Sequence, residues 1–143
     1  MDFNTKILKQ LYEYALEDRG YKRYYLAAAL VHKREILSIG WNSYSKSHPL
    51  QKKFAHTEGR AFPEGRVFLH AEIDAFRRYL RYNRTISERV TVYTCHAGKY
   101  GWRPARPCPG CMGALHFYGI ERVIFSERGT GSYSSLVLDS SRA

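Results

Sequence analysis

Apolar residues recur every three to four positions in three stretches of the chain and form short continuous or alternating blocks in five others. Residues 4–16 are the first periodic stretch. Phe3, Ile7, Leu11 and Ala15 fall four apart, and Leu8 and Tyr12 widen the stripe, which predicts an amphipathic helix. Asp2 or Asn4 suits its start and Gly20 its end. Its polar face mixes Glu13, Glu17 and Asp18 with lysines, unlike the basic face of a membrane-surface helix. Residues 24–31 are an apolar run bounded by charge, read as a buried strand, although the alanines in it would also suit a helix. Lys33-Arg34-Glu35 makes a polar turn into a second strand at 36–40, and the two strands read as a hairpin.

Residues 43–66 show no clear period, which predicts a long loop of the kind that usually carries function. The second periodic stretch, 70–82, predicts a central helix with Ile73, Phe76 and Leu80 on one face. His70 precedes Ile73 by three residues and shares that inward face. Arg77, Arg78 and Arg81 fall on the outer side, where Asp74 can pair with Arg77 or Arg78. Residues 89–95 alternate as a strand, and 96–106 read as a loop rich in glycine and arginine. Residues 108–118 predict the second core helix, with Pro109 in its first turn, Met112 and Leu115 facing inward and Gly119 at its end. Arg122–Ser126 is the next strand. Residues 133–138 follow after only a short turn. A parallel neighbour needs a crossover of about a dozen residues, so the last two strands are expected to form an antiparallel hairpin.

At 143 residues and 44% hydrophobic content the chain reads as one globular domain, residues 1–143. No apolar run reaches the roughly 18 residues of a membrane span. The start, Met1 to Lys6, has no apolar signal-peptide core, so the expected location is the cytoplasm. Three cysteines are an odd number, which argues against a disulfide framework. Cys95 reads as a small buried strand residue. The net charge of +10 favours anionic partners, nucleotides or nucleic acid, although a basic surface equally serves solubility.

The candidate chemistry lies in His70-Ala71-Glu72 and Pro107-Cys108-Pro109-Gly110-Cys111. One imidazole and two thiols supply three zinc ligands and leave a tetrahedral fourth position open, as in catalytic rather than structural sites. The cysteines begin a helix, where backbone N–H groups and the macrodipole favour thiolate. Glu72, two residues after the histidine, is placed to handle protons without binding the metal. A lone Cys-x-x-Cys would be ambiguous between redox, metal and chance. The upstream His-x-Glu and the preceding proline remove most of that ambiguity. Trp102, with cations beside it, suits base stacking and phosphate contact, or packs as an ordinary hydrophobe. His48 and His56 suit phosphate or a second metal, against the simpler reading of solvated loop histidines.

With these motifs, residues 27–125 resemble the cytidine/deoxycytidylate deaminase superfamily. The resemblance implies a three-layer α/β/α cytidine deaminase-like fold of the α/β class, with a central mixed sheet of about five strands. It implies one Zn2+ per chain on His70, Cys108 and Cys111, and substrate contacts from Asn42, after Gly40-Trp41, and from Ala71. Ser47-His48-Pro49-Leu50-Gln51 resembles a stretch of phage-type deoxycytidylate deaminases, which adds His48 to the candidate contacts. The expected reaction is hydrolytic deamination of cytosine to uracil, with Glu72 protonating the ring nitrogen and then the departing ammonia. A free deoxycytidine nucleotide of the dCMP type is the expected substrate. The alternatives are cytosine in single-stranded DNA, adenine in RNA, or a zinc module without catalysis. A homo-oligomer is implied as well. The antiparallel final hairpin looks like the cytidine deaminase arrangement, whereas the central motifs look like the deoxycytidylate group.

Overall fold

The computed structural model describes residues 1–18, 24–44, 48–55, 68–86 and 89–138. The chain runs α1 (Phe3–Glu17), β1 (Tyr25–His32), β2 (Glu35–Trp41), α2 (Pro49–Ala55), α3 (Ala71–Leu80), β3 (Thr91–Gly98), β4 (Gly101–Arg103), α4 (Pro109–Phe117), β5 (Arg122–Ser126) and β6 (Tyr133–Val137). The sheet order is β2-β1-β3-β5-β6, with β4 paired to β3. Only β3 and β5 are parallel; the other pairs are antiparallel. The fold is therefore the expected α/β class with a mixed sheet and an antiparallel final hairpin. Among the described residues the sheet has six strands, close to the five or so expected.

Asp2 starts α1 by accepting the Thr5 N–H at 2.8 Å. Gly20, the expected stop, lies outside the described residues. The buried stripe is Ile7, Leu8, Leu11 and Ala15. It covers Ala27, Ala29, Val31, Tyr93, Cys95 and Ala97 on one face of the sheet. The other face carries Leu30, Val92, Val123 and Phe125 under α2, α3 and α4. Covered on both sides, β1 is buried continuously from Ala27 to Val31, which explains its unbroken apolar run. Cys95 is fully buried as expected, and burial pushes its thiol up to about 12.

Two segments read as loops contain structure. Residues 98–101 turn tightly and return as β4, with Gly101 at φ +128° and Ala97 opposite Trp102. Residues 49–55 form α2. It is two turns long and turns only Leu50, Gln51 and Phe54 inward beside two lysines, too little for a period to show. Residues 45–47 and 56–67, with His56, Arg60 and Arg66, lie outside the described residues.

The start of α3 is held against β2 by two local features. A Cβ on Gly40 would stand 2.7 Å from the Asp74 carbonyl carbon and closer still to Ala71 O and Ala75 N. Only glycine therefore lets the helix approach this closely. Asp74, 1% exposed, accepts the Trp41 N–H at 2.9 Å and the Arg78 Nε–H at 2.8 Å through one oxygen. Its other oxygen makes a charge contact with Arg77. Asp74 thus pairs with both arginines rather than one. The Arg78 guanidinium lies 5.1 Å over the Trp41 ring, and Trp41 Nε1–H donates to Tyr14 O at 3.0 Å. No helix among the described residues is long and apolar enough to cross a membrane.

Candidate active site

His70 stands immediately before α3 with extended backbone, φ −89° and ψ 156°. Its position follows from β2: Ser43 N–H donates to Leu69 O at 2.9 Å, an isolated bridge that fixes the chain one residue upstream. Histidine is a poor helix cap, and its ring makes no capping bond to α3. The imidazole is directed instead toward the two cysteines.

Cys108 occupies the same place on α4, with φ −70° and ψ 167°, followed by Pro109 in the first turn. Its sulfur accepts the Cys111 N–H at 3.4 Å. A sulfur serving as N-cap is favoured as thiolate by the helix N–H groups it faces. The His70 Nδ1 atom lies 3.5 Å from Cys108 Sγ and 3.3 Å from Cys111 Sγ. All three donor atoms fall within 4.8 Å of one another. Bonds of about 2.0 Å to nitrogen and 2.3 Å to sulfur give an N···S edge of about 3.5 Å in a tetrahedron, so the set fits zinc. Cys111 is fully buried, whereas His70 and Cys108 are partly accessible, so one side of the cluster is open.

Glu72, on the first turn of α3, is 5% exposed. Burial pushes its carboxyl up, and the neighbouring His70 opposes that shift. A buried carboxyl with a raised pKa holds a proton more readily than an exposed one, which suits proton transfer.

The remaining candidates divide. Asn42 follows β2 directly, next to the Ser43–Leu69 bridge. Its side-chain oxygen accepts the Leu26 N–H at 3.0 Å and its amide donates to Tyr24 O at 2.9 Å. Ala71 is the first residue of α3, 1% exposed and packed toward Gly40. His48 precedes α2, where its Nδ1 accepts the Leu50 N–H at 3.1 Å. Trp102 is not brought to the cluster. It is 3% exposed and packs with Ile7, Leu8 and Leu11 on the opposite face of the sheet, because β4 turns it toward α1. One neighbour of the cluster entered the sequence reading only as the last residue of the Ser47–Gln51 stretch, with no role of its own. Gln51 of α2, 1% exposed, accepts the His70 N–H at 2.9 Å. The sequence signal for it is Pro49, a residue suited to the first turn of a helix.

The family model of the cytidine and deoxycytidylate deaminase zinc-binding region matches residues 1–127. The chain belongs to this family. Its members' zinc-dependent deaminase activity and single zinc ion agree with the donor set formed by His70, Cys108 and Cys111. Among solved structures, the chain is similar to the dCMP deaminase of the cyanophage S-TIM5 in apo form. That match has a TM-score of 0.54 at 19% identity, over 87% of this chain and 79% of the other. The same phage enzyme in complex with dCMP and dUMP matches with a TM-score of 0.53 at 19% identity, over 86% and 77%. At that identity the likeness establishes the fold. No curated protein matches the sequence.

For this deaminase, Cys111→Ser is expected to lower zinc content well below one equivalent and to abolish turnover together. Metal analysis beside an activity assay checks it. A variant that kept a full equivalent would remove Cys111 from the ligand set.

Proposed function

We propose that this deaminase converts cytosine to uracil in a free deoxycytidine nucleotide of the dCMP type. The observation that carries the reading is Glu72, buried on the first turn of α3 beside the three converging donors. The phage enzyme of the same fold, whose structure holds dCMP and dUMP, supports the choice of nucleotide. Bound zinc supplies a water-derived nucleophile at neutral pH. A Glu72 carboxylate oxygen takes the proton that water loses and delivers it to N3 of the ring as C4 is attacked. The proton of the new C4 hydroxyl then passes through the same oxygen to the exocyclic nitrogen, the C4=O bond of uracil forms, and the C4–N bond breaks to release ammonia. Water enters and ammonia leaves, so no further reactant is needed. Asn42, Ala71 and His48 are the proposed substrate contacts, the first two by their place beside the α3 start. One domain, residues 1–143, is proposed to carry the activity, in a cytoplasmic homo-oligomer.

The net charge of +10 favours a second reading, cytosine in single-stranded DNA or adenine in RNA. A deamination panel separates the two, with dCMP, dCTP, deoxycytidine and single-stranded oligonucleotides read by mass. Conversion of dCMP without the oligonucleotides is the expected result. Conversion of the oligonucleotides alone would overturn the nucleotide reading.

A further inference from the structure

The amide N–H of a helix N-cap residue is commonly taken by the side chain three positions on, in a capping box. In α3 that position is Ile73, which has no acceptor. Gln51 supplies the acceptor from a different element, its Oε1 taking the His70 N–H at 2.9 Å. Three residues further along α2, Phe54 is 4% exposed, its ring centroid 5.6 Å from Phe117 and 6.0 Å from Tyr118 at the end of α4. The Lys53 ammonium lies 3.8 Å from the Phe117 ring centroid on the same seam. So α2 reaches the histidine of the donor set through Gln51 and packs through Phe54 on the far end of the helix that starts with the two cysteines. A seven-residue helix has little stability alone, so its place depends on these contacts.

We propose that α2 clamps the metal centre and that Gln51 is its positioning residue, holding the His70 backbone so that the imidazole meets the two cysteine sulfurs. The proposal rests on the zinc assignment. Gln51 touches neither metal nor substrate in this role. It acts by fixing the peptide from which the ligand projects, and outer contacts of that kind tune metal retention. Without the acceptor, the His70 peptide can turn and the imidazole spends time away from the site.

Zinc-loaded wild type, Gln51→Met and Gln51→Glu are compared in excess chelator, with released zinc read by a colorimetric dye. Methionine keeps the length of the side chain and removes the acceptor; glutamate keeps the acceptor. The methionine variant is expected to release zinc about 10–100-fold faster than wild type, and the glutamate variant within about threefold of it. Equal release from wild type and Gln51→Met overturns the role, as does equally fast release from both variants, which would make side-chain identity rather than the acceptor decisive. The hydrogen-exchange rate of the His70 amide in wild type gives an answer that needs no variant. Slow exchange is expected, and exchange at the rate of an open amide overturns the role. A wild type that bound no zinc would overturn the metal assignment with it, whereas zinc-binding wild type with unchanged Gln51→Met release overturns the clamp alone.

Discussion

Glu72→Gln is expected to bind one zinc per chain and to lose between about 10²-fold and 10⁴-fold in kcat. The amide matches the carboxylate in size, so the buried position at the start of α3 is filled as before. What disappears is the oxygen that accepts a proton from water and returns it to the ring and then to the leaving nitrogen. Burial holds the Glu72 carboxyl above the usual carboxylate range, which suits a group that must both take and give a proton. The metal ligands are untouched, so metal content and turnover should separate, in contrast to Cys111→Ser, where both fall. Product formation by mass and zinc by elemental analysis on one preparation check it. Turnover within tenfold of wild type would remove Glu72 from proton transfer.

Asp74→Ala is expected to lower stability by about 3 kcal/mol, because removing one member of a buried charge cluster strands its partners. For a chain of this size that corresponds to a fall in Tm of about 10 °C. Asp74 is 1% exposed and satisfies the Trp41 N–H and the Arg78 Nε–H, with Arg77 against its second oxygen. Arg78 has a side chain 41% exposed and can turn to water, whereas the Arg77 side chain is only 16% exposed. The loss should therefore come mostly from Arg77 and the Trp41 amide. Asp74→Asn keeps an acceptor for Trp41 and should cost less. Thermal unfolding followed by circular dichroism ranks the two. An alanine variant within about 0.5 kcal/mol of wild type would place Asp74 among ordinary surface substitutions. Since Asp74 also anchors the turn that follows His70, zinc affinity should fall in the same order.

Much of this protein was legible in its sequence. The stripe of α1, the apolar run of β1 and the inward face of α3 each report burial within a single element, and a period or a run records that directly. His70, Glu72, Cys108 and Cys111 were legible for a different reason. Their spacing is local, two or three residues at a helix start, and the chemistry of a three-ligand zinc site dictates it. The antiparallel pairing of β6 with β5 followed from chain length alone, since Gly129 and Gly131 turn the chain too soon for a crossover. What no pattern recorded were contacts between elements far apart in the chain. Trp102 read as a pocket aromatic or as an ordinary hydrophobe, because its neighbours are cations and glycines; only the pairing of β4 with β3 decides for the second, turning it toward α1. Asp74 looked like a surface partner for one arginine, but the close approach of α3 at Gly40 buries it beside the Trp41 amide. Gln51 stood in a polar stretch with no period, and its value comes entirely from the docking of α2 between His70 and α4. The sequence alone determined which groups could hold the metal. Tertiary packing decided which residues hold those groups in place, because a hydrogen bond across 19 residues depends on where two helices meet.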